Sequence, residues 1–135
     1  MTNDALELMA VAESVRKRAH APYSGYRVGA AICDSDGHIH RGANTENASF
    51  PLGACAEANA IGAMVSAGGT RIARIAIAGG RDTLDNCTPC GGCRQRIAEF
   101  ADGNTEILVR DEQGTLATYR VADLLPVAFH WPAEN

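Results

Sequence analysis

The sequence predicts an α/β fold, a three-layer α-β-α sandwich in which helices cover both faces of a five-stranded mixed sheet. The prediction rests on the hydrophobic patterns along 135 residues, which follow the order α-β-β-α-β-α-β-β. The composition agrees, because 46% apolar and 21% charged residues are typical of a globular chain. Without an internal repeat or a linker, we expect one domain over residues 1–135.

The first predicted element is a packing helix near the N-terminus. Asn3 or Asp4 can cap it, because either side chain can accept a hydrogen bond from the first turn. Apolar residues then recur at helical spacing, which indicates one buried face. Pro22 and Gly25 end the helix.

A β-hairpin is predicted next. Residues 26–33 and 38–43 have the composition of strands, and residues 34–37 have that of a tight turn. His38 and His40 lie on one face of the second strand. Without a third ligand, we interpret both histidines as exposed surface residues and not as a metal site.

The rest of the chain alternates helices and strands. Residues 55–67 and 90–100 are predicted helices, and residues 72–78 are a strand buried on both faces because the run is nearly all Ile and Ala. Two further strands are predicted at residues 105–110 and 115–121.

Charge and cysteine usage exclude several classes of protein. A formal charge of −4 provides no broad basic face, so a nucleic acid polymer is not expected as a partner. We find neither a signal peptide nor an apolar run long enough to cross a membrane, so the cytoplasm is the expected location. Five cysteines without a secretion signal argue against a disulfide scaffold, and Cys33 and Cys87 are expected to be free thiols.

The remaining three cysteines predict a metal site. Cys55 stands at the start of one predicted helix, and Cys90 and Cys93 stand at the start of another. Three thiolates can hold zinc and leave the fourth position open, as in catalytic sites. Glu57 is then a candidate general base. Two alternatives remain open, namely a closed structural site with Cys87 as fourth ligand and a set of free core cysteines.

A polar run at residues 44–49 precedes the first cysteine helix. By itself it favours a turn whose Asn and Glu side chains bond to their own backbone. The alternative is a loop that offers an amide and a carboxylate to the hydroxyl groups of a sugar.

These residues resemble a known family. Cys55-Ala56-Glu57 followed by Pro89-Cys90-Gly91-Gly92-Cys93 is similar to the motif of the zinc-dependent cytidine deaminases of the short, homotetrameric kind. Similar landmarks occur in family order along nearly the whole chain: Ala21-Pro22-Tyr23-Ser24, Val28-Gly29-Ala30-Ala31, Asn44-Thr45-Glu46-Asn47-Ala48, Cys93-Arg94-Gln95 and Leu124-Leu125-Pro126 with Phe129.

The resemblance implies an enzyme, a hydrolase that deaminates cytidine and 2'-deoxycytidine to the uridine forms in pyrimidine salvage. It implies one zinc ion per subunit, held by Cys55, Cys90 and Cys93, which makes water acidic. Glu57 would remove the proton and pass protons to the ring nitrogen and to the departing ammonia. A small nucleoside is therefore the expected partner, and a homotetramer with sites at the subunit interfaces is the expected assembly.

The resemblance also assigns substrate-binding residues. Asn44 and Glu46 match positions that bond to the ribose, and Tyr26 matches an aromatic residue that lies against the pyrimidine. Ala56 is also expected to contact the substrate. Phe129 matches a C-terminal aromatic residue that packs towards the site of a neighbouring subunit.

One position departs from the family pattern. The family often has Arg directly after the Cys-Ala-Glu triplet, and this chain has Ala58. Zinc with three thiolates carries net negative charge, so Arg94 beside Cys93 and the two helix dipoles are the expected compensation.

Two other functions remain possible. The ending Phe129-His130-Trp131 is somewhat similar to that of deaminases of other aminopyrimidine nucleosides, such as blasticidin S. The second possible function is that of a non-catalytic zinc-stabilised module, in which Cys87 is the fourth ligand and closes the metal site.

Overall fold

Five strands form one mixed sheet in the computed structural model, which describes residues 4–132. The strands are β1 (Arg27–Asp34), β2 (Ile39–Ala43), β3 (Ile72–Gly80), β4 (Glu106–Arg110) and β5 (Leu116–Arg120). Their order across the sheet is β2-β1-β3-β4-β5. All neighbours pair antiparallel except β3 and β4, which are parallel because a helix connects them. The predicted five-stranded mixed sheet is confirmed.

Helices cover both faces of this sheet. They are α1 (Ala5–Arg16), α2 (Ala56–Ser66), α3 (Gly91–Glu99) and the short α4 (Val121–Leu124). Asp4 caps α1, because its side chain accepts a hydrogen bond from the backbone N–H of Leu6 at 2.8 Å. The alternative cap, Asn3, lies outside the described residues. No described helix combines the length and apolarity needed to cross a membrane.

Two separate apolar clusters define the three layers. On one face, α1 packs on the sheet through a cluster that contains Leu8, Met9, Ala12, Ala31, Cys33, Ala76, Ala78 and Leu108. On the other face, α2, α3 and α4 pack through a larger cluster that contains Ala56, Ala60, Met64, Ile75, Ile77, Ile97, Ile107 and Val121. The three-layer α-β-α sandwich is therefore confirmed.

The predicted bounds of the strands and of the later helices are correct to within two residues, but the prediction that Pro22 and Gly25 end the first helix is wrong. This helix ends at Arg16, because the next backbone N–H groups bond to carbonyl oxygens three residues earlier and close the helix in a turn.

One short element was not predicted. Phe50–Leu52 forms a single turn of 3-10 helix between β2 and α2. Tyr26, predicted as the first residue of a strand, lies just before β1. Its backbone N–H donates to the Ser24 hydroxyl at 2.9 Å, which holds it in the turn before the strand.

Glycine allows α2 to approach the sheet closely. Gly42 of β2 faces the first turns of this helix, and a Cβ atom there would lie 2.5 Å from the carbonyl oxygen of Ala56 and 2.8 Å from the Cα of Ala60. Any side chain at this position would push the helix outwards. Gly42 therefore sets the distance between α2 and the sheet.

We predict that Gly42→Ala destabilises the fold by about 1–3 kcal/mol, because the added methyl group meets rigid backbone. Gly62 lies in α2, where no atom would crowd an added Cβ, and it provides the matched control. Gly62→Ala is expected to stabilise the fold by about 0.5–1 kcal/mol. Urea unfolding of both variants measures the difference. Equal stability of the two would show that Gly42 does not limit the approach of the helix.

The interpretation of His40 as a surface residue is wrong. His40 is buried, and its Nε2 lies 2.7 Å from Oδ2 of the buried Asp34. The other carboxylate oxygen of Asp34 accepts the backbone N–H groups of Asp36 at 2.9 Å and His38 at 3.0 Å. The His38 side chain is exposed, as predicted. Asp34 thus ties the hairpin turn to the second strand.

These contacts determine the charge of Asp34. Burial by itself raises the pKa of this carboxyl, but the hydrogen bond from His40 and those from the backbone of His38 and Asp36 outweigh it and hold the pKa below its usual range. A carboxylate whose pKa is lower in the folded state stabilises the fold at pH values above its unfolded pKa of about 3.9. That contribution is lost as the pH falls through the lower, folded pKa.

We therefore predict that Asp34→Asn lowers the free energy of unfolding by about 1–3 kcal/mol at pH 7, because a charged acceptor of three hydrogen bonds is lost. The difference from the wild type should shrink in acid, once the pH passes below the folded pKa of Asp34. Urea unfolding at pH 7, 4 and 2.5 tests this. Asp36→Asn, which changes an exposed carboxylate in the same turn, is the control. A difference from the wild type that does not depend on pH would contradict this role of Asp34.

Candidate functional site

Two helices begin next to each other on the same face of the sheet. Cys55 is the N-cap residue of α2 and Cys90 is the N-cap residue of α3, each with extended backbone. Cys93 lies one turn into α3 and is fully buried. The sulfur atoms of these three cysteines all lie within 4.8 Å of one another. The structure thus brings together the three predicted metal-ligating residues.

The chemistry of this group is that of a zinc site. Zinc–sulfur bonds of about 2.3 Å in tetrahedral geometry separate the sulfurs by about 3.8 Å, which the observed arrangement allows. Three adjacent sulfurs and the nearby Glu57 carboxylate would repel one another when ionised, so a cation among them is favourable. The three cysteines therefore provide a suitable ligand set for zinc, and among residues 4–132 they form the one cluster of this kind.

The two cysteines of α3 differ in the direction of their pKa shifts. The backbone N–H of Cys93, in the first turn of α3, favours the thiolate of Cys90 and lowers the pKa of that thiol despite partial burial. Burial raises the pKa of Cys93, and the charges of Glu57 and the other cysteines raise it further. Positive charge at this cluster is therefore needed to keep the Cys93 sulfur ionised.

Glu57 is buried in the first turn of α2, with only 5% of its surface exposed. Burial raises the pKa of this carboxyl, while its own backbone N–H, the Cys93 thiol and the Arg96 charge partly offset that effect. Residues two apart do not share a face of a regular helix. Glu57 nevertheless reaches the cluster, since its carboxyl group interacts with the Cys93 thiol.

A cavity of about 350 Å³ opens directly in front of the cluster. This volume lies in the range of small-molecule sites. Its walls contain Cys55, Cys90 and Glu57, together with three of the predicted substrate-binding residues, Asn44, Glu46 and Ala56. Tyr26 and Phe129, the other two predicted substrate-binding residues, are not among the residues that line it.

Asn44 and Glu46 are held in place by hydrogen bonds within the chain. The Asn44 amide accepts from the backbone N–H of Val28 at 2.8 Å and donates to the carbonyl oxygen of Tyr26 at 3.0 Å. The Glu46 carboxylate accepts from the backbone N–H of Tyr23 at 2.9 Å and from the Ser24 hydroxyl at 2.5 Å. The amide keeps a second N–H, and the carboxylate keeps free lone pairs. Both groups can therefore still bind a ligand.

The polar run around Asn44 is not a simple turn. The backbone N–H of Thr45 donates to the carbonyl oxygen of Ala54 at 3.0 Å, and that of His20 donates to the carbonyl oxygen of Asn44 at 3.0 Å. This segment therefore bridges the end of α1 and the approach to α2. Asn59 of α2 strengthens this link, because its side chain donates to the carbonyl oxygen of Ala43 at 2.7 Å.

Cys87 lines the cavity, and Tyr26 packs next to it. The half-buried Tyr26 has its pKa raised, first by burial and then by its hydrogen-bonding neighbours Cys87 and Asp85. A Cβ atom at Gly79 would lie 2.6 Å from the Cys87 sulfur and 3.2 Å from the Tyr26 ring, so both side chains pack over this glycine. Cys87 is thus directed towards Tyr26, and it is not a member of the three-sulfur group.

Phe129 belongs to the C-terminal segment that lies along α3. Its backbone N–H donates to the Gln95 side chain at 3.2 Å, and its carbonyl oxygen accepts from the same side chain at 2.9 Å. The ring itself is 65% exposed. The Gln95 contacts fix the backbone of this segment and leave the ring free to contact another molecule.

Sequence analysis missed an aromatic residue at the cavity. Phe50, in the 3-10 turn, lines the cavity and is 73% exposed, with its ring edge-on to Tyr23 at a centroid distance of 5.7 Å. The available signal was an aromatic residue five positions before Cys55, between the polar run at residues 44–49 and the first cysteine helix. An aromatic ring so close to a metal ligand is a candidate wall for a flat substrate.

Arg94, the arginine expected to compensate the charge of the ligands, makes its hydrogen bonds to backbone carbonyl groups. Its guanidinium donates to the carbonyl oxygens of Pro89 at 2.7 Å and Leu124 at 3.0 Å, so it is tied to backbone groups on either side of α3. Arg96 contacts the cluster instead, and its Nη1 lies 3.8 Å from the Cys93 sulfur. The sequence contained a signal for this contact, because residues three apart on a helix are neighbours.

The sandwich and its sulfur cluster define a class, the zinc-binding α/β proteins, and sequence comparison identifies the family. The family model described as "Cytidine and deoxycytidylate deaminase zinc-binding region" matches residues 2–109. The chain belongs to this family.

Individual relatives agree with this assignment. The chain is 38% identical over 126 residues to a cytidine deaminase of Sporosarcina psychrophila. The aligned region covers 93% of this chain and 91% of the relative. It is 40% identical over 123 residues to a cytidine deaminase of Halalkalibacterium halodurans. This aligned region covers 90% of this chain and 92% of that relative. The structure of cytidine deaminase from Burkholderia pseudomallei superposes with a TM-score of 0.84 at 38% identity, covering 96% of this chain and all of the other.

We predict that Cys87→Ser retains one zinc ion per chain, because Cys87 lies outside the three-sulfur group. Cys90→Ser, which removes a member of the group, should lose zinc readily to a competing chelator. Metal analysis after dialysis against the chelator compares the two variants. If Cys87→Ser lost zinc as easily as Cys90→Ser, the closed four-cysteine site would be the better description.

Proposed function

We propose that the chain catalyses the zinc-dependent hydrolytic deamination of cytidine and 2'-deoxycytidine to uridine and 2'-deoxyuridine, with release of ammonia. The observation that carries the proposal is a buried carboxylate, Glu57, beside a three-sulfur cluster at the wall of a cavity of about 350 Å³. The similarity to curated cytidine deaminases over about nine tenths of the chain supports the same substrate class.

Cys55, Cys90 and Cys93 would hold one zinc ion per subunit. A bound zinc ion supplies Lewis acidity, which makes water a good nucleophile near neutral pH. Cys55 and Cys90 border the cavity while Cys93 is buried behind them, so the ligand set supports an open position that faces the cavity.

Glu57 is the proposed general base and acid. Its carboxylate lines the cavity next to the cluster and can accept a proton from the attacking water. It delivers that proton to the ring nitrogen, then takes the second proton from the new hydroxyl group on C4 and delivers it to the departing amine, so that cytidine and water give uridine and ammonia. Burial removes bulk water that would otherwise compete for these protons.

Asn44, Glu46 and Ala56 are the proposed substrate contacts within one chain. The second N–H of Asn44 and the free lone pairs of Glu46 are suited to ribose hydroxyl groups, because each group is already fixed by the chain. Tyr26 remains a proposed neighbour of the pyrimidine. It would act from the cavity rim, since its hydroxyl is directed to Cys87 and Asp85.

A homotetramer is the proposed assembly, with Phe129 contributing to the site of a neighbouring subunit. Large apolar side chains are exposed in two segments, the 3-10 turn next to the cavity and the C-terminal segment. They include Phe50 at 73%, Leu52 at 70%, Val127 at 89%, Phe129 at 65% and Trp131 at 81%. Such exposure is typical of surfaces that bind another protein. We also propose a single domain over residues 1–135, a cytoplasmic location and a role in pyrimidine salvage.

We predict that Glu57→Gln retains zinc and lowers kcat for cytidine by about 10²–10⁴-fold, because an amide cannot transfer the protons. Zinc content and the rate of absorbance loss of cytidine are measured on the same preparation. Glu99→Gln, at the far end of α3, is a control that should keep full activity. Turnover by Glu57→Gln close to the wild-type rate would remove Glu57 from this role.

A comparison of substrates tests the proposed function directly. We predict conversion of cytidine and 2'-deoxycytidine but not of the free base cytosine, because Asn44 and Glu46 require the sugar. Asn44→Ala should raise KM for both nucleosides while zinc stays bound, and Asn104→Ala, on the loop before β4, should not. Conversion of blasticidin S without conversion of cytidine would support the alternative substrate. Bound zinc without turnover of any nucleoside would support the non-catalytic module.

A further inference from the structure

The zinc site contains more negative charge than a single zinc ion neutralises. Three thiolates and one divalent cation give a net charge of −1, and the Glu57 carboxylate lies beside them. Negative charge on the ligands weakens the metal as a Lewis acid. A positively charged group in contact with a ligand sulfur would withdraw electron density from the metal and counter this effect.

Arg96 is positioned to provide that charge. Its Nη1 donates to the Cys93 sulfur at 3.8 Å, which is hydrogen-bonding distance for sulfur. The charge of the same guanidinium also acts on the buried Glu57, where it partly offsets the rise in pKa that burial causes. The adjacent Arg94 instead donates to the carbonyl oxygens of Pro89 and Leu124.

The start of α3 leaves space for this contact. Arg96 lies three residues after Cys93, so its side chain extends back over the first turn of the helix. Gly92 is located there, and a Cβ atom on it would lie 3.3 Å from Nη1 of Arg96, which is closer than most such contacts. The absence of a side chain at position 92 therefore allows the guanidinium to lie against the Cys93 sulfur.

We propose that Arg96 is a positioning and charge-balancing residue of the zinc site. It acts through Cys93, whose sulfur it orients and whose negative charge it partly neutralises when zinc is bound. Position 58, next to Glu57, carries no charge in this chain, and the compensating arginine is supplied by the other helix. The inference rests on the proposed zinc ligands, but its test does not require any nucleoside.

The test compares Arg96→Gln with Arg71→Gln in the full-length, metal-loaded protein. Arg71 is an exposed arginine at the opposite end of β3 that pairs with Asp102 at 3.6 Å, so its replacement removes the same charge far from the cluster. Arg96→Lys, which retains the charge, is the conservative variant. Circular dichroism verifies that each variant is folded, as expected for an exposed side chain.

Two readouts report on the metal site itself. The first is zinc affinity against a competing coloured chelator, for which we expect Arg96→Gln to bind about 10-fold more weakly or worse. The second is the thiolate-to-metal charge-transfer band of the cobalt-substituted protein. Loss of a hydrogen bond to sulfur should shift this band to longer wavelength, because the sulfur electrons become easier to remove.

We expect Arg71→Gln to match the wild type in both readouts and Arg96→Lys to lie between the wild type and Arg96→Gln. An Arg96→Gln protein that is folded and matches Arg71→Gln in zinc affinity and in the position of the cobalt band would overturn the proposal. If these effects occur but no variant, including the wild type, deaminates cytidine, the proposed function fails and the role of Arg96 stands.

Discussion

The distance between the N-termini of α2 and α3 is the constraint on which the site depends. The two helices pack on the same face of the sheet and bring Cys55 and Cys90 together at their first residues. Because the sulfurs must lie within bonding range of one ion, a small outward shift of either helix would separate them. Gly42 is therefore as much a part of the site as the cysteines, since it brings α2 against the sheet.

The same geometry creates an electrostatic problem. Thiols and a carboxyl group that meet in a buried region repel one another when ionised, and burial raises the pKa of both Glu57 and Cys93. Helix N–H groups favour the thiolate of Cys90, and zinc would supply most of the remaining positive charge. The exposed Arg96 adds further positive charge next to the Cys93 sulfur. The site is thus stabilised by groups from the backbone, the metal and one side chain.

The order of elements, the mixed sheet and the three-sulfur group could be predicted from sequence, because periodicity and ligand spacing are local properties. Partners that depend on the course of the backbone and on side-chain direction could not. The sequence pattern of the second strand is typical of a surface position at His40. The hairpin turn nevertheless brings the His40 ring next to the Asp34 carboxylate, and this contact cannot be read from the pattern. Tyr26 and Cys87 are far apart in sequence, and nothing local indicates that they pair over Gly79. In the proposed homotetramer the neighbours of the Phe129 ring would lie on a second subunit, which a single sequence does not specify.

The central claim is that one zinc ion, held by three sulfurs and served by Glu57, converts a nucleoside. The most direct measurement is cytidine turnover during stepwise addition of zinc to metal-free protein, with the bound zinc determined at each step. Activity is expected to rise linearly and to reach its plateau at one zinc ion per chain. Turnover by the metal-free protein at the plateau rate would contradict this claim, as would zinc bound to full occupancy without any turnover.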